Sequence, residues 1–569
     1  MDPFAVYGGG EIGAKARGLF IGREVLAEAG LASRLFAGLE IGIPALIAVS
    51  TDAFERFLDE NGLARFTAGG EPPDDELVRS FAAASLPDGA VQALEGWLER
   101  HRGPLAVRSS SVLEDAAEDP FAGVYSTLMV ASRGSPATRL EEACAAVKRV
   151  YASAFARSAR RYRASSGRLD RDEKMGVVVQ LAAGRERNDR FYPHISGVAR
   201  SYNFYAAGLA RPDDGVVELA LGLGRTIVEE GLAWRCSPAQ PHANPPYGAP
   251  IDLVEQTQKS FWAIDLASGG DCRAGRWADG LERGAMRRYT LAEAEADGAL
   301  TFLASTYSAD DDRIVSGLAL PGPRVLDFAP ILKARRIPLV PLVVDLLGLL
   351  RIAIGRPVEI EFAMTFGEPG PLPARFDLLQ VRPMAAAYPE VEVPVVDLPR
   401  ARVLAASDRV MGNGIVRTIR DIVYVKPSAF EPRHGAEIVE ALEAENQALV
   451  ASGRPYLLIG FGRWGTTDAS AGIPADFGQI AGARAIVEAT LPQFDVMASH
   501  GSHFFHNIAS RRVLYFSVGH GEPYEVDWPW LDAQQAAGES RFARHVVLPA
   551  PLDIMVDGRI GRGLIVKPG

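Results

Sequence analysis

The chain has 569 residues, too many for one hydrophobic core, so three or four folding units are expected. Hydrophobic residues make up 48% and charged residues 23%, as in ordinary globular proteins. A formal charge of -11, from 60 basic and 71 acidic residues, argues against coating nucleic acid, which needs a basic face.

Cys144, Cys236 and Cys272 follow no metal or disulfide spacing, and no apolar run opens the chain as a secretory leader would. A reducing, cytoplasmic setting is the expectation. In chain order, a glycine-rich start (YGGGEIGAKARGLF) leads to GIPALIAVS, read as a strand, with Thr51 or Asp52 capping the helix after it. Near residue 103 comes GPLAVRSSSVLEDAAEDPFAGVYSTLMV, two strand-like ends around a polar middle. A helical segment is expected over about 137–164, with an alanine-rich face and a basic one. MGVVVQLAAG reads as a buried strand, and VVELALGLGRTIVEEG as strand, glycine turn and short helix. Residues 235–330 are loop-rich, and their elements cannot be placed from pattern alone. IPLVPLVVDLLGLL is too short to span a bilayer and is broken by Pro341 and Asp345, so it reads as a core helix rather than a membrane contact. VEIEFAM and RFDLLQVRPM read as paired strands. Three prolines make 388–399 a linker. Beyond it come strand-like RVLAASDRVMGNGIVRTIRDIVYVKP, a helix over about 436–451, and GARAIVE, read as helix.

The polar middle of the second segment carries chemistry. A strand-like LAV delivers Arg108, whose planar fork suits phosphate oxygens, and Ser109, Ser110 and Ser111 add hydroxyls and closely spaced backbone donors. Gly123 lets backbone approach a ligand closely. A phosphate clamp and an exposed polar loop are both open readings of this stretch alone. A second cluster favours the clamp. Glu359 and Glu361 share one strand face, and Gln380 and Arg382 share another. Paired, they would set carboxylates, an amide oxygen and a guanidinium together, the oxygen ligands that suit Mg²⁺ beside a triphosphate. Acids facing water on an edge strand are the alternative. LGLGRT would place Arg225 and a helix N-terminus near an anion, and Lys15 follows glycines in GAKARG. Neither matches GxGxxG or the GxxxxGK[ST] phosphate loop.

These stretches, in this order and spacing, resemble the nucleotide-binding half of phosphoenolpyruvate synthase and pyruvate, phosphate dikinase. The matching pieces are IGAKARGL, LAVRSSSVLED with DPFAGVYSTLMV, ELALGLGRTIVEEG, and VEIEFAM with LLQVRPM. The resemblance implies a mixed α/β architecture. Residues 1–386 would be an ATP-grasp unit of at least two subdomains, 387–399 a linker, and 400–569 a smaller, divergent phosphohistidine-like swivel domain. It implies ATP and Mg²⁺ as ligands. Lys15 and Arg108 are similar to the family's phosphate-contacting residues, Glu361 and Gln380 to its metal-side acid and glutamine, and Arg382 to the arginine acting on the transferred phosphate. Glu359 stands where an aspartate is common. Gln180 lies in the hairpin that would line the adenine pocket. SGVARSYNF departs from the family segment at Arg200 and Tyr202.

A swivel domain would carry a phosphate-accepting histidine. ASHGSHFFHNIASRR aligns Gly501, Ser502 and His503 with that turn, and a neutral imidazole attacks phosphorus readily at neutral pH. His500 and His506 are rivals, and a metal-binding pair of His503 and His506, three apart on one helix face, or plain structural histidines stay open. Arg463 and Arg484 are further phosphate candidates, with Trp464 packed against a glycine turn. Too few residues follow Arg512 for a pyruvate-binding barrel. The expected activity is therefore ATP-dependent phosphotransfer through a histidine to a small molecule, pyruvate or another. A separate acceptor-site protein and a homo-oligomer are both compatible; nucleic acid and membrane are not expected partners. The alternatives are direct transfer without phosphohistidine, and an ATP-binding regulatory or scaffold protein without turnover.

Overall fold

The computed structural model describes residues 3–30, 38–66, 74–111, 125–156, 159, 174–203, 210–228, 232–242, 250–267, 284–367, 370–384, 391, 393, 399–464, 472–475, 477–494, 513–558 and 560–568. The fold is mixed α/β and divides into two compact units: Met1–Ser201 with Val216–His242 and Pro250–Ala387, and Tyr202–Gly215 with Ala243–Ala249 and Tyr388–Gly569.

Among the described residues the first unit has four sheets, with a helix between the two largest. Strand β1 (Phe4–Tyr7) is followed by helix α1 (Gly13–Ala29), β2 (Leu39–Gly42), β3 (Leu46–Val49) and helices α2 (Thr51–Glu60), α3 (Asp74–Ala83) and α4 (Asp88–Arg100). Then come β4 (Leu105–Ser111), β5 (Thr127–Val130), α5 (Pro136–Ser153) and β6 (Met175–Leu181). The first sheet runs β1-β3-β6-β4-β5. Its two-residue alternation explains the packing. Leu105, Val107, Val177 and Val179 join Phe54, Phe57, Phe81, Trp97 and Tyr151 of the helices in one core. Ala106, Arg108 and Ser110 therefore fall on the opposite face, across from Gln180, Val178 and Gly176.

Past two short strands, β7 (Arg185–Arg187) and β8 (Arg190–Tyr192), the second sheet begins with β9 (Ile195–Arg200) and β10 (Val216–Ala220). A short helix, α6 (Arg225–Val228), and β11 (Trp234–Cys236) follow. Residues 235–330, unplaced by pattern, form β12 (Ser260–Asp265) and β13 (Met286–Thr290) against β8 and β7. They also form a three-stranded sheet of β14 (Ser305–Ser308), β15 (Arg313–Ser316) and β16 (Arg324–Val325). The apolar run becomes α7 (Leu339–Ile354), buried through Leu342, Val343, Leu346 and Leu350. Strands β17 (Val358–Thr365) and β18 (Ala374–Pro383) complete the order β11-β10-β9-β17-β18-β2. Among the described residues no helix is long and apolar enough to cross a membrane.

Helix α1 touches both sheets because its glycines permit it. Gly13 opens the helix at φ +75, and a Cβ there would lie 1.6 Å from the Ser110 carbonyl oxygen; at Gly18 it would lie 1.9 Å from that of Val381. The preceding glycine loop is tied to α2: the Gly9 and Gly10 amides donate to Asp52 at 3.0 and 3.1 Å. Partial burial opposes ionisation of Asp52, but the Ser50 hydroxyl and these amides outweigh it and lower its carboxyl to about 2. A depressed folded pKa contributes stability above the unfolded value of 3.8, lost as pH falls toward 2. Asp52→Asn is expected to destabilise the fold by about 1 kcal/mol at neutral pH. Urea melts should show that gap narrowing below pH 4.

In the second unit, β19 (Val403–Ser407), β20 (Val410–Met411), β21 (Gly414–Val416) and β22 (Asp421–Val425) precede helix α8 (Gly435–Ala451). After them come β23 (Tyr456–Phe461), β24 (Arg463–Trp464), β25 (Gly472–Ile473), β26 (Ala483–Ala489) and β27 (Leu514–Val518). The chain closes with β28 (Ala536–Glu539), β29 (Ala543–Val547), β30 (Asp553–Asp557) and β31 (Arg562–Val566). The main sheet runs β20-β27-β26-β23-β22-β29-β28, with β22, β23, β26 and β27 parallel. A four-stranded sheet runs β19-β31-β30-β21. GARAIVE is thus a strand, not a helix. Residues buried on both faces of a parallel sheet lose the alternation that marks a half-buried strand. Arg484 on it is exposed and among the described residues reaches only the Ala481 and Ala483 carbonyls, each at 3.4 Å. Trp464 is fully buried and packs on Gly460, where a Cβ would meet its ring; that glycine lies within β23 rather than in a turn.

Candidate active site

The second sheet gathers charge where strand register aligns it. Glu359 pairs across β17 with Arg382 on β18 and Arg200 on β9; one row on, Glu361 pairs with Gln380 and Val198. Antiparallel partners share a face, so Arg200, Glu359, Arg382, Glu361 and Gln380 project together. Ile360, Val381 and Ala199 take the other face, and α7 packs against β17 and β9.

Arg108 reaches this cluster from the first sheet. Its Nη1 donates to the Leu379 carbonyl at 2.7 Å, and its Nη2 donates to Glu361 Oε2 at 3.1 Å and to Gln380 Oε1. The last two contacts join residues 253 and 272 positions apart in sequence. Lys15 Nζ, on the first turn of α1, donates to Ser109 Oγ at 3.1 Å, and Ser110 Oγ accepts from the Ala16 amide and donates to the Ile12 carbonyl. The serine-bearing strand therefore meets the lysine at Ser109 and, one residue before it, the acid–glutamine pair at Arg108.

Arg382 and Arg200 are held by one carboxylate. Arg382 Nε donates to Glu359 Oε1 at 2.7 Å, and Arg200 Nε to Glu359 Oε2 at 2.6 Å. Arg200 Nη1 also donates to Glu218 Oε2 at 2.6 Å. Burial would raise the Glu359 carboxyl, but Arg382 and Arg200 outweigh it and hold it below the usual range. Burial likewise opposes charge on Arg382, and Glu359 and Glu361 overcome it. Three guanidiniums (Arg108, Arg200 and Arg382) and three carboxylates (Glu218, Glu359 and Glu361) balance within the cluster. Both Arg200 and Arg382 keep roughly a third of their side chains open, so the balanced face remains reachable.

Glu361 and Gln380 supply one carboxylate and one amide oxygen, with no sulfur or nitrogen donor, the hard-oxygen set that suits Mg²⁺. Glu361 has 29% of its side chain exposed. Among the described residues no group of three or more His, Cys, Asp or Glu could hold a metal, so these two side chains would need phosphate oxygens or water to complete a coordination shell. Both also accept from Arg108, so they would hold a magnesium ion only with that guanidinium turned away toward phosphate.

The remaining sequence candidates lie apart or beyond description. Gln180 is buried on the Arg108 face of β6, its amide donating to the Pro44 carbonyl at 3.4 Å. Arg225 stacks its guanidinium 4.8 Å from the Trp262 ring centroid. The glycine turn before it is pinned by Gln258, whose amide accepts from the Leu221 N–H at 2.8 Å and donates to the Leu221 carbonyl at 2.9 Å. Gly123, His500, His503 and His506, and the Arg463 side chain, lie outside the described residues. Two site residues were not foreseen. Arg200 showed only as a departure in SGVAR, and Glu218 gave no signal until register placed β10 beside β9.

A mixed α/β unit with this polar face has the character of a nucleotide-binding domain. The chain belongs to the pyruvate phosphate dikinase AMP/ATP-binding domain family, whose profile matches residues 10–397. Rifampicin phosphotransferase of Streptomyces sviceus is 29% identical over 211 residues, covering 33% of this chain and 21% of that protein. The shared stretch is thus far less than two thirds of that relative.

Proposed function

We propose that the protein is an ATP-dependent phosphotransferase. The observation that carries this reading is the contact of Arg108 with Glu361 and Gln380, which puts a guanidinium from one sheet onto the acid–amide pair of the other. Lys15 and Arg108 hold the phosphate chain, and Gln180 lies toward the adenine end. A magnesium ion held by Glu361 and Gln380 would neutralise phosphate charge. Arg382, oriented by Glu359, stabilises negative charge on the phosphoryl group as it moves. In the relay form, a His503 ring nitrogen forms the new bond to phosphorus as the bond to the bridging oxygen breaks. The nucleoside diphosphate leaves with the electron pair, and the acceptor then takes the phosphoryl group from nitrogen. Closure over the nucleotide limits hydrolysis.

Incubation with ATP labelled in the terminal phosphate tests the relay. An acid-labile, alkali-stable label on the wild-type chain and none on His503→Ala is the expected result; a label that persists in His503→Ala removes His503 as the carrier. Phosphorus NMR of the products, with pyruvate and with rifampicin as trial acceptors, separates the chemistries. ADP marks simple transfer, and AMP with free phosphate marks a dikinase cycle.

A further inference from the structure

A cavity at the other end of β4 from Arg108 has no part in the reading above. It measures about 210 Å³ and is lined by Arg102, Gly103, Ser132, Gly134, Pro136 and Arg139. At about 3.3 Å per residue, the five residues from Gly103 to Arg108 separate it from the Arg108 cluster by roughly 15 Å.

Arg139 is 7% exposed, yet among the described residues no carboxylate pairs with it. Its Nε donates to Ser132 Oγ at 3.4 Å, and its Nη2 to the Leu98 and His101 carbonyls at 3.1 and 2.6 Å. Those three neutral acceptors fix the guanidinium plane. Among the described residues Nη1 donates to nothing, although its residue lines the cavity. A guanidinium that turns a donor group into a cavity and has no counter-charge among the described residues favours an anion there. Exposed Arg102 lines the same cavity and has no acidic partner among the described residues. The two arginines repel: burial first, and then the charge of Arg102, lowers the Arg139 pKa. The cavity also meets the N-terminus of α5, an 18-residue helix begun by Pro136, which has no N–H, and capped by Ser135, which takes the Thr138 amide, so the helix adds its dipole rather than free donors.

We propose that this cavity is a second anion site that takes a phosphate-class oxyanion, either inorganic phosphate or the phosphate of a small phosphomonoester. Two guanidiniums match a dianion in charge, and their planar forks match tetrahedral oxygens in geometry. The volume is several times a water's share of about 30 Å³, which leaves space for a small ester group. This site does not depend on the phosphotransferase reading, because none of its residues belongs to the Arg108 cluster.

Isothermal titration of the full chain in phosphate-free buffer tests it, with inorganic phosphate, glycerol phosphate and acetate as separate titrants. Three proteins are compared: wild type, Arg102→Glu and Arg382→Ala. Arg102 is exposed, so its variant is expected to melt as wild type does. Phosphate or glycerol phosphate should bind the wild type, and Arg102→Glu should weaken that binding by at least about tenfold while Arg382→Ala leaves it in place. Tighter binding of glycerol phosphate would identify an ester ligand, and tighter binding of inorganic phosphate the free ion. No phosphate binding overturns the proposal, as does equal binding by Arg102→Glu, loss in Arg382→Ala alone, or acetate binding as tightly as phosphate. Phenylglyoxal modification gives a local readout: phosphate should protect Arg102, and unchanged labelling of Arg102 counts against the site.

Discussion

Glu359→Ala should lower unfolding stability at neutral pH by about 3–5 kcal/mol, the range for breaking a buried ion pair by removing one partner. Glu359 is 6% exposed and holds two guanidiniums. Without it, Arg382 loses the only carboxylate to which it donates a hydrogen bond among the described residues, and Arg200 keeps only Glu218. Glu359→Gln retains the volume and one acceptor oxygen, and should fall between wild type and the alanine variant. The pH dependence has a fixed sign. A carboxyl depressed in the fold contributes its full stability above the ordinary glutamate value of 4.5 and loses it as pH falls through the lower folded value. Urea unfolding of wild type and Glu359→Ala should therefore converge below pH 4.5. A constant gap into acid would show that the carboxylate contributes through packing rather than charge.

Arg108→Ala should reduce kcat/KM for ATP by about 10²–10³, the usual effect of removing one preorganised donor from developing charge. It also leaves Gln380 Oε1 and the Leu379 carbonyl without their partner, at a cost of about 1–3 kcal/mol in stability. Steady-state ATP consumption, measured where circular dichroism shows both proteins folded, separates the two effects. Arg108→Lys keeps the charge but not the fork that bridges Leu379, Glu361 and Gln380. It should recover the fold better than the rate. If Arg108→Lys turns over as wild type does, point charge alone suffices and the bidentate geometry has no role.

Much of this site was legible because polar residues in apolar strands are expensive and therefore informative. Arg108 after LAV, the two acids of VEIEF and the Gln–Arg pair of LLQVRP each follow the two-residue period, so their shared faces could be read before any contact was known. The glycines of GAKARG were legible only as a lead-in to Lys15; that they let α1 approach the Ser110 and Val381 carbonyls was not. What escaped was long-range register. Glu218 becomes part of the charge network only once β10 lies beside β9, and nothing local in VVELA announces that neighbour. The same limit hid the pairing of β12 with β8, Ile264 against Phe191, whereas β14 and β15 form a close hairpin, Ser308 against Arg313, that carries no clear turn signal. ARAIVEA was misread for a different reason: burial on both faces erases the alternation that separates strand from helix in a short apolar run.

A crystal structure with magnesium and a non-hydrolysable ATP analogue tests the central claim most directly. The account predicts the phosphate chain within hydrogen-bonding distance of Lys15 and Arg108, the metal on Glu361 and Gln380, and Arg382 beside the terminal phosphate. A nucleotide bound elsewhere, with Arg108 still closed on Glu361 and Gln380, would contradict it.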